Sequence, residues 1–148
     1  ENINLKIYQQ CLKDQNTLLK NTYDKLKIEN EIFNFNNNIK FLFSKVDFVI
    51  SRSGSSMLAE LLNCNIPVIT IPLPNSADDH QLKNAKYFEN KGYGFLIEEN
   101  QIEPKLFQLI KLIHKDKDLL SQIKQKQKTY TGKNVFEKIK EQIKKIDG

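Results

Sequence analysis

The chain has 148 residues, of which 39% are hydrophobic and 28% are charged, and its formal net charge is +5. This length supports one domain with a sizeable core, and no apolar run approaches the roughly 18–20 residues of a membrane span. The positive charge lies in residues 105–148, which hold 12 Lys and Arg against 5 Asp and Glu, whereas residues 1–104 hold 11 against 13. A single arginine and no tryptophan argue against nucleic acid as a partner.

The first half of the chain predicts two strands, a helix between them and a third strand. The strands are at 5–11 (LKIYQQC), 31–35 (EIFNF) and 47–51 (DFVIS), the last of them buried, and residues 12–26 form the helix. Three asparagines at 36–38 predict a turn and a helix cap before a short helix at 39–46.

The second half continues the alternation of helices and strands. Residues 56–64 and 80–91 predict helices, 67–71 (PVITI) a buried strand and 94–98 a further strand, with helices starting near Pro104, Asp118 and Asn134. The apolar stripe of the last segment is predicted to pack in a core, and its residues are Val135, Phe136, Ile139, Ile143 and Ile146. The pattern predicts a single α/β domain over residues 1–148, with a Rossmann-like parallel sheet covered by helices on both faces and a basic helical segment at 105–148.

Parallel sheets bind ligands beyond the carboxyl ends of their strands, so the loops at 36–38, 52–56 and 72–80 are candidate contacts. The loop Arg52-Ser53-Gly54-Ser55-Ser56 runs into a helix, whose free N–H groups and positive dipole end favour phosphate. Simple helix capping is the alternative interpretation. Glu60 lies one turn further on, where a carboxylate can accept hydrogen bonds from two neighbouring hydroxyls, as on a ribose; an ordinary surface residue is the alternative.

The remaining polar residues predict no metal site and no nucleophile. His80, Gln81 and Asn84 open the helix after PVITI but lack the spacing of metal ligands, and a Ser/His/Asp arrangement is absent. Cys11 and Cys64 lack CxxC spacing, so we expect reduced thiols, with a disulfide as the alternative.

The segment SRSGSSMLAELLNCNIPVITIPLPNSADDHQLKNAKYFENKGYGFLI (51–97) resembles the carboxyl-terminal domain of the MurG family of bacterial glycosyltransferases. The ordered set Arg-Ser-Gly, Glu, Pro and Asp-His-Gln-x-x-Asn-Ala carries the resemblance, which is good from about residue 31 to residue 97. It implies half of a glycosyltransferase B fold that holds UDP-N-acetylglucosamine (UDP-GlcNAc), whose sugar goes to the lipid-linked muramyl pentapeptide of peptidoglycan. It also implies a hexosyltransferase without a cofactor, in the cytoplasm at the inner face of the cell membrane.

The resemblance implies a role for each residue around the nucleotide. Arg52, Ser53 and Gly54 would lie beside it, and the backbone from Ser55 through Ser56 to Met57 would contact the diphosphate. Glu60 would bind the ribose hydroxyls.

The base and the sugar would be contacted by two further groups. Phe35 and Asn36 match the turn whose backbone reads uracil, although Asn36 replaces a more usual aliphatic residue. His80 and Gln81 match the polar pair at the sugar hydroxyls, and Asn84 would support their loop.

Parts of the family pattern have no match in this sequence: the amino-terminal domain, and the first strand and Gly-rich loop of the carboxyl-terminal domain. We therefore expect a fragment, or a chain completed by a partner, with no catalytic residue of its own and no activity in isolation. The alternatives are a related nucleotide-sugar hydrolase, a subunit of a split two-chain glycosyltransferase, or a non-catalytic nucleotide-sugar-binding module. The lysine excess of residues 105–148 is interpreted as a solvated helical face, and peripheral contact with anionic membrane is the alternative.

Overall fold

The computed structural model describes residues 3–130 and residue 132. These residues form α/β structure, which confirms the predicted fold class. The strands are β1 (Lys6–Gln10), β2 (Glu29–Phe33), β3 (Val49–Ser51), β4 (Val68–Thr70) and β5 (Gly94–Leu96). The helices are α1 (Asn16–Lys25), α2 (Ile39–Phe43), α3 (Ser55–Cys64), α4 (His80–Lys91), α5 (Ile102–Lys115) and α6 (Leu119–Lys128). Contacts divide the chain into two compact units, residues 1–44 and 45–148; that residues 1–148 form one domain stays a prediction.

The first unit is a β1-α1-β2 arrangement with parallel strands. Lys6 lies opposite Glu29, and the pairing continues to Gln10 opposite Phe33. The Lys6 ammonium and the Glu29 carboxylate form an ion pair at 2.5 Å. Because this pairing fixes the register, β2 occupies residues 29–33 rather than the predicted 31–35. Phe35 therefore lies in the turn after the strand and not at the strand's end.

The second unit contains a parallel sheet in the order β3-β4-β5. All three residues of the central strand β4 are buried, as predicted. Leu61 of α3 and Ala85 of α4 are fully buried as well, so the apolar faces of both helices contribute to the core. Gly94 begins β5 where a side chain does not fit, because a Cβ at this position would collide with the carbonyl oxygen of Val68.

Besides β2, two further predicted elements differ from the structure. Ile50 of β3 is 44% exposed, so the prediction that this strand is buried is wrong. The physical reason is that, among the described residues, β3 pairs only with β4 and is therefore an edge strand with no neighbour on its other side. The helix α2 ends at Phe43, three residues before the predicted end at Val46.

The structure describes only part of the carboxyl-terminal region for which helices were predicted. The helices expected from Pro104 and Asp118 correspond to α5 and α6. The helix expected from Asn134, with its apolar stripe, lies outside the described residues. Among the described residues, no helix is long and apolar enough to cross a membrane. Cys11 and Cys64 are both free thiols.

Candidate functional site

The amino-terminal end of α3 offers three backbone donors. Gly54 is the N-cap, with φ −64° and ψ 139°, and its carbonyl accepts the first helical bond from the Leu58 N–H at 3.1 Å. The N–H groups of Ser55, Ser56 and Met57 have no acceptor in the part of the chain that the structure describes. With the positive end of the helix dipole behind them, these three groups favour a bound anion such as a phosphate.

Gly54 leaves open space above this helix end. Its φ is negative, so its backbone does not require glycine for a left-handed conformation. A Cβ built at Gly54 would meet no atom within 4 Å. Packing within the described residues therefore does not require a glycine here either, and the absence of a side chain instead allows a ligand to approach the backbone closely.

Ser53, in contrast, is fully buried and tied to α4. Its hydroxyl donates to the Gln81 carbonyl oxygen at 2.8 Å, and its own carbonyl oxygen accepts from Asn84 Nδ2 at 3.1 Å. The hydroxyl's one hydrogen is thus used inside the protein. Ser53 and Asn84 hold the loop before α3 against the first turn of α4, and a direct contact of the Ser53 hydroxyl as a donor to a ligand is excluded in this arrangement.

The loop between β4 and α4 is fixed by Gln81 and by an unusual backbone. Gln81 Oε1 accepts from the Leu73 N–H at 3.0 Å, and the Gln81 N–H donates to Ser76 Oγ at 3.3 Å. Asp78 and Asp79 both have φ near +50°, a region that costs a side chain energy but that Asp tolerates better than most residues. The consecutive left-handed residues turn the chain into the start of α4.

His80 and Gln81 keep polar atoms available at this helix start. His80 is exposed, and its Nδ1 lies 2.7 Å from the Ala77 carbonyl oxygen. That carbonyl can only accept, so Nδ1 carries the hydrogen and the neutral ring leaves Nε2 as an acceptor. Gln81 Nε2 has no partner among residues 3–130 and remains a free donor.

Arg52 connects the ends of the strands in the second unit. Its Nη1 donates to the carbonyl oxygens of Ile71 and Pro72, at 3.3 and 3.2 Å, and to Glu99 Oε2 at 2.5 Å. These bonds connect the residues that follow β3, β4 and β5. Glu99 was missed by the sequence reasoning, because nothing in a separation of 47 residues indicates the pairing.

Glu60, Ser55 and Ser56 are exposed on α3. Their side chains form no hydrogen bond or ion pair within the described residues, so a carboxylate and two hydroxyls are free to meet a ligand at the amino-terminal half of this helix. Within residues 3–130, no group of three or more His, Cys, Asp and Glu could hold a metal ion.

Phe35 and Asn36 lie in the first unit, in the turn that follows β2. Phe35 is 77% exposed. The Asn36 side chain accepts from the Asn38 N–H at 2.7 Å, and Asn38 caps α2 by accepting from the Phe41 N–H at 3.2 Å. The asparagine turn and cap are therefore confirmed. Asn34, the residue before this turn, makes several side-chain bonds that the sequence reasoning did not anticipate.

The fold and this site define a parallel α/β domain with N–H groups at the start of α3 that lack acceptors among the described residues, close to exposed polar side chains on the same helix. Residues 1–146 match the family model of the glycosyltransferase family 28 C-terminal domain, and the chain belongs to this family.

Curated relatives carry the name UDP-N-acetylglucosamine–N-acetylmuramyl-(pentapeptide) pyrophosphoryl-undecaprenol N-acetylglucosamine transferase. The protein of that name from Rickettsia massiliae is 40% identical over 119 residues, which are 80% of this chain and 30% of the relative. The one from Pelagibacter ubique is 34% identical over 141 residues, or 94% of this chain and 39% of the relative. The chain thus spans between about a quarter and two fifths of such relatives, whose names describe the whole proteins.

Solved structures show the same fold. The crystal structure of Acinetobacter baumannii MurG matches with a TM-score of 0.83 and 21% identity, covering 98% of this chain and 44% of that one. The structure of a kitacinnamycin glycotransferase matches more weakly, with a TM-score of 0.52, 17% identity and 74% of this chain covered. The first match confirms that the domain has the fold of the carboxyl-terminal half of a glycosyltransferase B enzyme.

Proposed function

We propose that this chain is the donor-binding part of a glycosyltransferase and that it holds UDP-GlcNAc for transfer to the lipid-linked muramyl pentapeptide of peptidoglycan. The observation that carries the proposal is the start of α3, where three N–H groups have no acceptor among the described residues and the adjacent Gly54 leaves open space. Family membership and the names of the relatives supply the nucleotide sugar and the acceptor.

The proposed site divides into contact residues and supporting residues. The diphosphate would bind the N–H groups of residues 55–57, and Glu60 would accept hydrogen bonds from the two ribose hydroxyls. His80 Nε2 and Gln81 Nε2 would meet the sugar hydroxyls. Ser53 and Asn84 would hold these elements in place, because the Ser53 hydroxyl donates to the Gln81 carbonyl oxygen and Asn84 Nδ2 donates to the Ser53 carbonyl oxygen.

In the proposed reaction, the acceptor hydroxyl attacks the anomeric carbon and the bond to the UDP oxygen breaks. The electron pair of that bond leaves with UDP, so negative charge grows on the diphosphate. Fixed N–H donors at the start of α3 stabilise this charge without having to reorganise. None of the residues described here is assigned to deprotonate the acceptor; that base, with the acceptor site, would lie in the portion of the protein beyond these residues.

We further propose that the enzyme works in the cytoplasm at the inner face of the cell membrane, where its lipid-linked acceptor lies. The excess of lysine in residues 105–148 supports contact with anionic lipid, at about 1 kcal/mol for each well-placed lysine near the surface. Equal binding to neutral and anionic vesicles at low salt would remove this part of the proposal.

The donor site is tested by calorimetric titration with UDP and with 2′-deoxy-UDP. In a Glu60→Ala variant, we expect UDP binding to weaken by about 1.5–3 kcal/mol, the usual contribution of hydrogen bonds to a charged group. Binding of 2′-deoxy-UDP should weaken less, because one of the two hydroxyls is absent already. Glu103→Ala is the matched control, since Glu103 is an exposed carboxylate in the first turn of α5.

The outcomes separate the possible functions. Absence of UDP binding by the folded chain refutes the proposal for this chain. Release of free sugar from UDP-GlcNAc without an acceptor would indicate a hydrolase instead. Equal weakening of UDP and 2′-deoxy-UDP in Glu60→Ala would show that Glu60 does not contact the ribose diol.

A further inference from the structure

A groove of about 300 Å³ lies between α3 and α4 in the second unit. Its buried lining residues are apolar: Leu58 and Leu62 belong to α3, and Phe88 belongs to α4. Ala59 and Tyr87 also line it and are exposed, the Tyr87 side chain by 47%. None of the described residues that line the groove is charged. This surface therefore suits an apolar partner rather than an ion.

The described part of the chain arrives at one end of this groove. The Tyr130 ring packs edge-on against Tyr93, with 6.2 Å between the ring centroids, and Tyr93 packs in the same way against Phe88 at 5.7 Å. Tyr130 and Gly132 both line the groove, which extends from there to residues near the starts of α3 and α4. Residues 133–148 therefore follow directly from the groove and need no connecting loop to reach it.

The sequence after Gly132 has the length and the pattern of a segment that could cover this groove. Residues 135–146 would span about 18 Å as a helix, against about 15 Å for the ten residues of α3. Lys140 and Lys144 would then fall outside the apolar face of that helix. The apolar face would hold the stripe Val135, Phe136, Ile139, Ile143 and Ile146.

We propose that residues 133–148 form an amphipathic helix whose apolar stripe covers the groove between α3 and α4. The stripe buries its side chains against an uncharged, apolar surface, while the lysines on its other face stay in water. Because the segment is tethered at the end of the groove, its effective concentration there is about millimolar. A separate chain at micromolar concentration competes poorly with it.

The test measures how fast a thiol placed in the groove reacts with a soluble aromatic disulfide reagent. Ala59→Cys places the thiol in the groove, and Glu60→Cys places it on the next residue of α3, outside the lining. Both positions are exposed among the described residues, which makes the second a matched control. Each change is made together with Cys11→Ser and Cys64→Ser, so that the chain holds a single thiol.

We expect the Ala59→Cys thiol to react about tenfold more slowly than the Glu60→Cys thiol, because the reaction requires the covering segment to open. Adding Ile139→Asp and Ile143→Asp should remove most of this difference, since the stripe then carries two charges. Lys140→Asp with Lys144→Asp, on the other face, should preserve it. If the aspartate pair in the stripe lacks a native circular dichroism spectrum, Ile139→Ala with Ile143→Ala replaces it.

Three results would overturn the proposal. Equal reaction rates at positions 59 and 60 in the chain with an unaltered stripe would show that the groove is open. A slow reaction at position 59 that persists in the folded stripe variant would show that something else covers the groove, and acceleration on dilution would identify a second copy of the chain as the cover. Equal acceleration by the lysine pair would show that the apolar stripe is not what protects the groove.

Discussion

Gln127 of α6 is the buried polar residue whose replacement we expect to be most informative about stability. Its side chain is fully buried, and Nε2 donates to the carbonyl oxygens of Ile66 and Tyr93 at 2.9 and 2.8 Å. The first carbonyl lies just before β4 and the second just before β5, so a single amide ties α6 to both strand starts. Oε1 has no partner among the described residues. The amide cannot be reversed, because its oxygen would then face two carbonyl oxygens.

A Gln127→Leu variant should lower the free energy of unfolding by about 1–3 kcal/mol. Two hydrogen bonds are lost, at about 1 kcal/mol each, and the two carbonyls left unpaired add to this cost. Removal of the unpartnered Oε1 offsets about 1 kcal/mol of it. Equilibrium urea denaturation followed by circular dichroism measures the difference, with Gln125→Leu, an exposed position on the same helix, as the control.

A Gln127→Glu variant tests the same reasoning through pH. A carboxylate at this position would face two carbonyl oxygens in a buried site, so the folded state favours the neutral acid and the pKa of the new side chain should be raised. The stability lost relative to the unaltered chain should therefore be smallest near pH 4 and grow as the pH rises towards 7. This account of Gln127 would be refuted by two results together. Gln127→Leu would have to be as stable as the Gln125→Leu control, and the effect of Gln127→Glu would have to be independent of pH.

Three further predictions concern residues of the second unit. Gly54→Ala should change the free energy of unfolding by no more than about 1 kcal/mol, since the backbone angles of Gly54 suit alanine and the space around it is open. The same variant should bind UDP more weakly in calorimetry, and unchanged binding would show that no ligand approaches Gly54. Gly94→Ala should destabilise the chain by about 1–3 kcal/mol in urea denaturation because the Cβ collides with Val68, and a neutral effect would contradict the close approach of β4 and β5. Burial, with a smaller contribution from the neighbouring Tyr87 and Tyr130, raises the pKa of the Tyr93 phenol. The unfolded chain therefore ionises first, and the free energy of unfolding should fall as the pH rises past about 10. The fall should be smaller in Tyr93→Phe, and an equal fall in both proteins would assign it to other groups.

Local sequence signals were sufficient to predict a helix or strand where a single residue type determines the backbone conformation at its end. The helix α4 begins and ends where predicted, because Gly92 takes φ +69° and stops the helix. The strand β4 was predicted from its apolar run after Pro67. The same kind of signal was overlooked at Asn65, which ends α3 in a left-handed conformation although it is not glycine.

Pairings between distant residues could not be predicted. The register of β1 and β2, fixed by contacts across more than 20 residues, moved β2 away from Phe35. The bonds of Arg52 to Ile71, Pro72 and Glu99 and the pairing of Asn16 with Asn34 are side-chain choices that no spacing in one sequence reveals. Sequence therefore predicted which loops follow the carboxyl ends of the strands, and the structure distinguishes the residues whose side chains are exposed in them from those bonded within the protein.

The bonds of Ser53 have a mechanical consequence. They connect the turn that leads into α3 to the first turn of α4, and the hydrogen bond from the Asn84 amide is the second connection. The two helix starts must then shift together or not at all. A ligand whose phosphates bind at the start of α3 would therefore meet His80 and Gln81, at the start of α4, at a fixed distance from those phosphates. Under the proposed binding mode, the fixed distance between the two helix starts would select the length of the bound nucleotide sugar, and a sugar of another length or linkage would contact one helix start at the expense of the other.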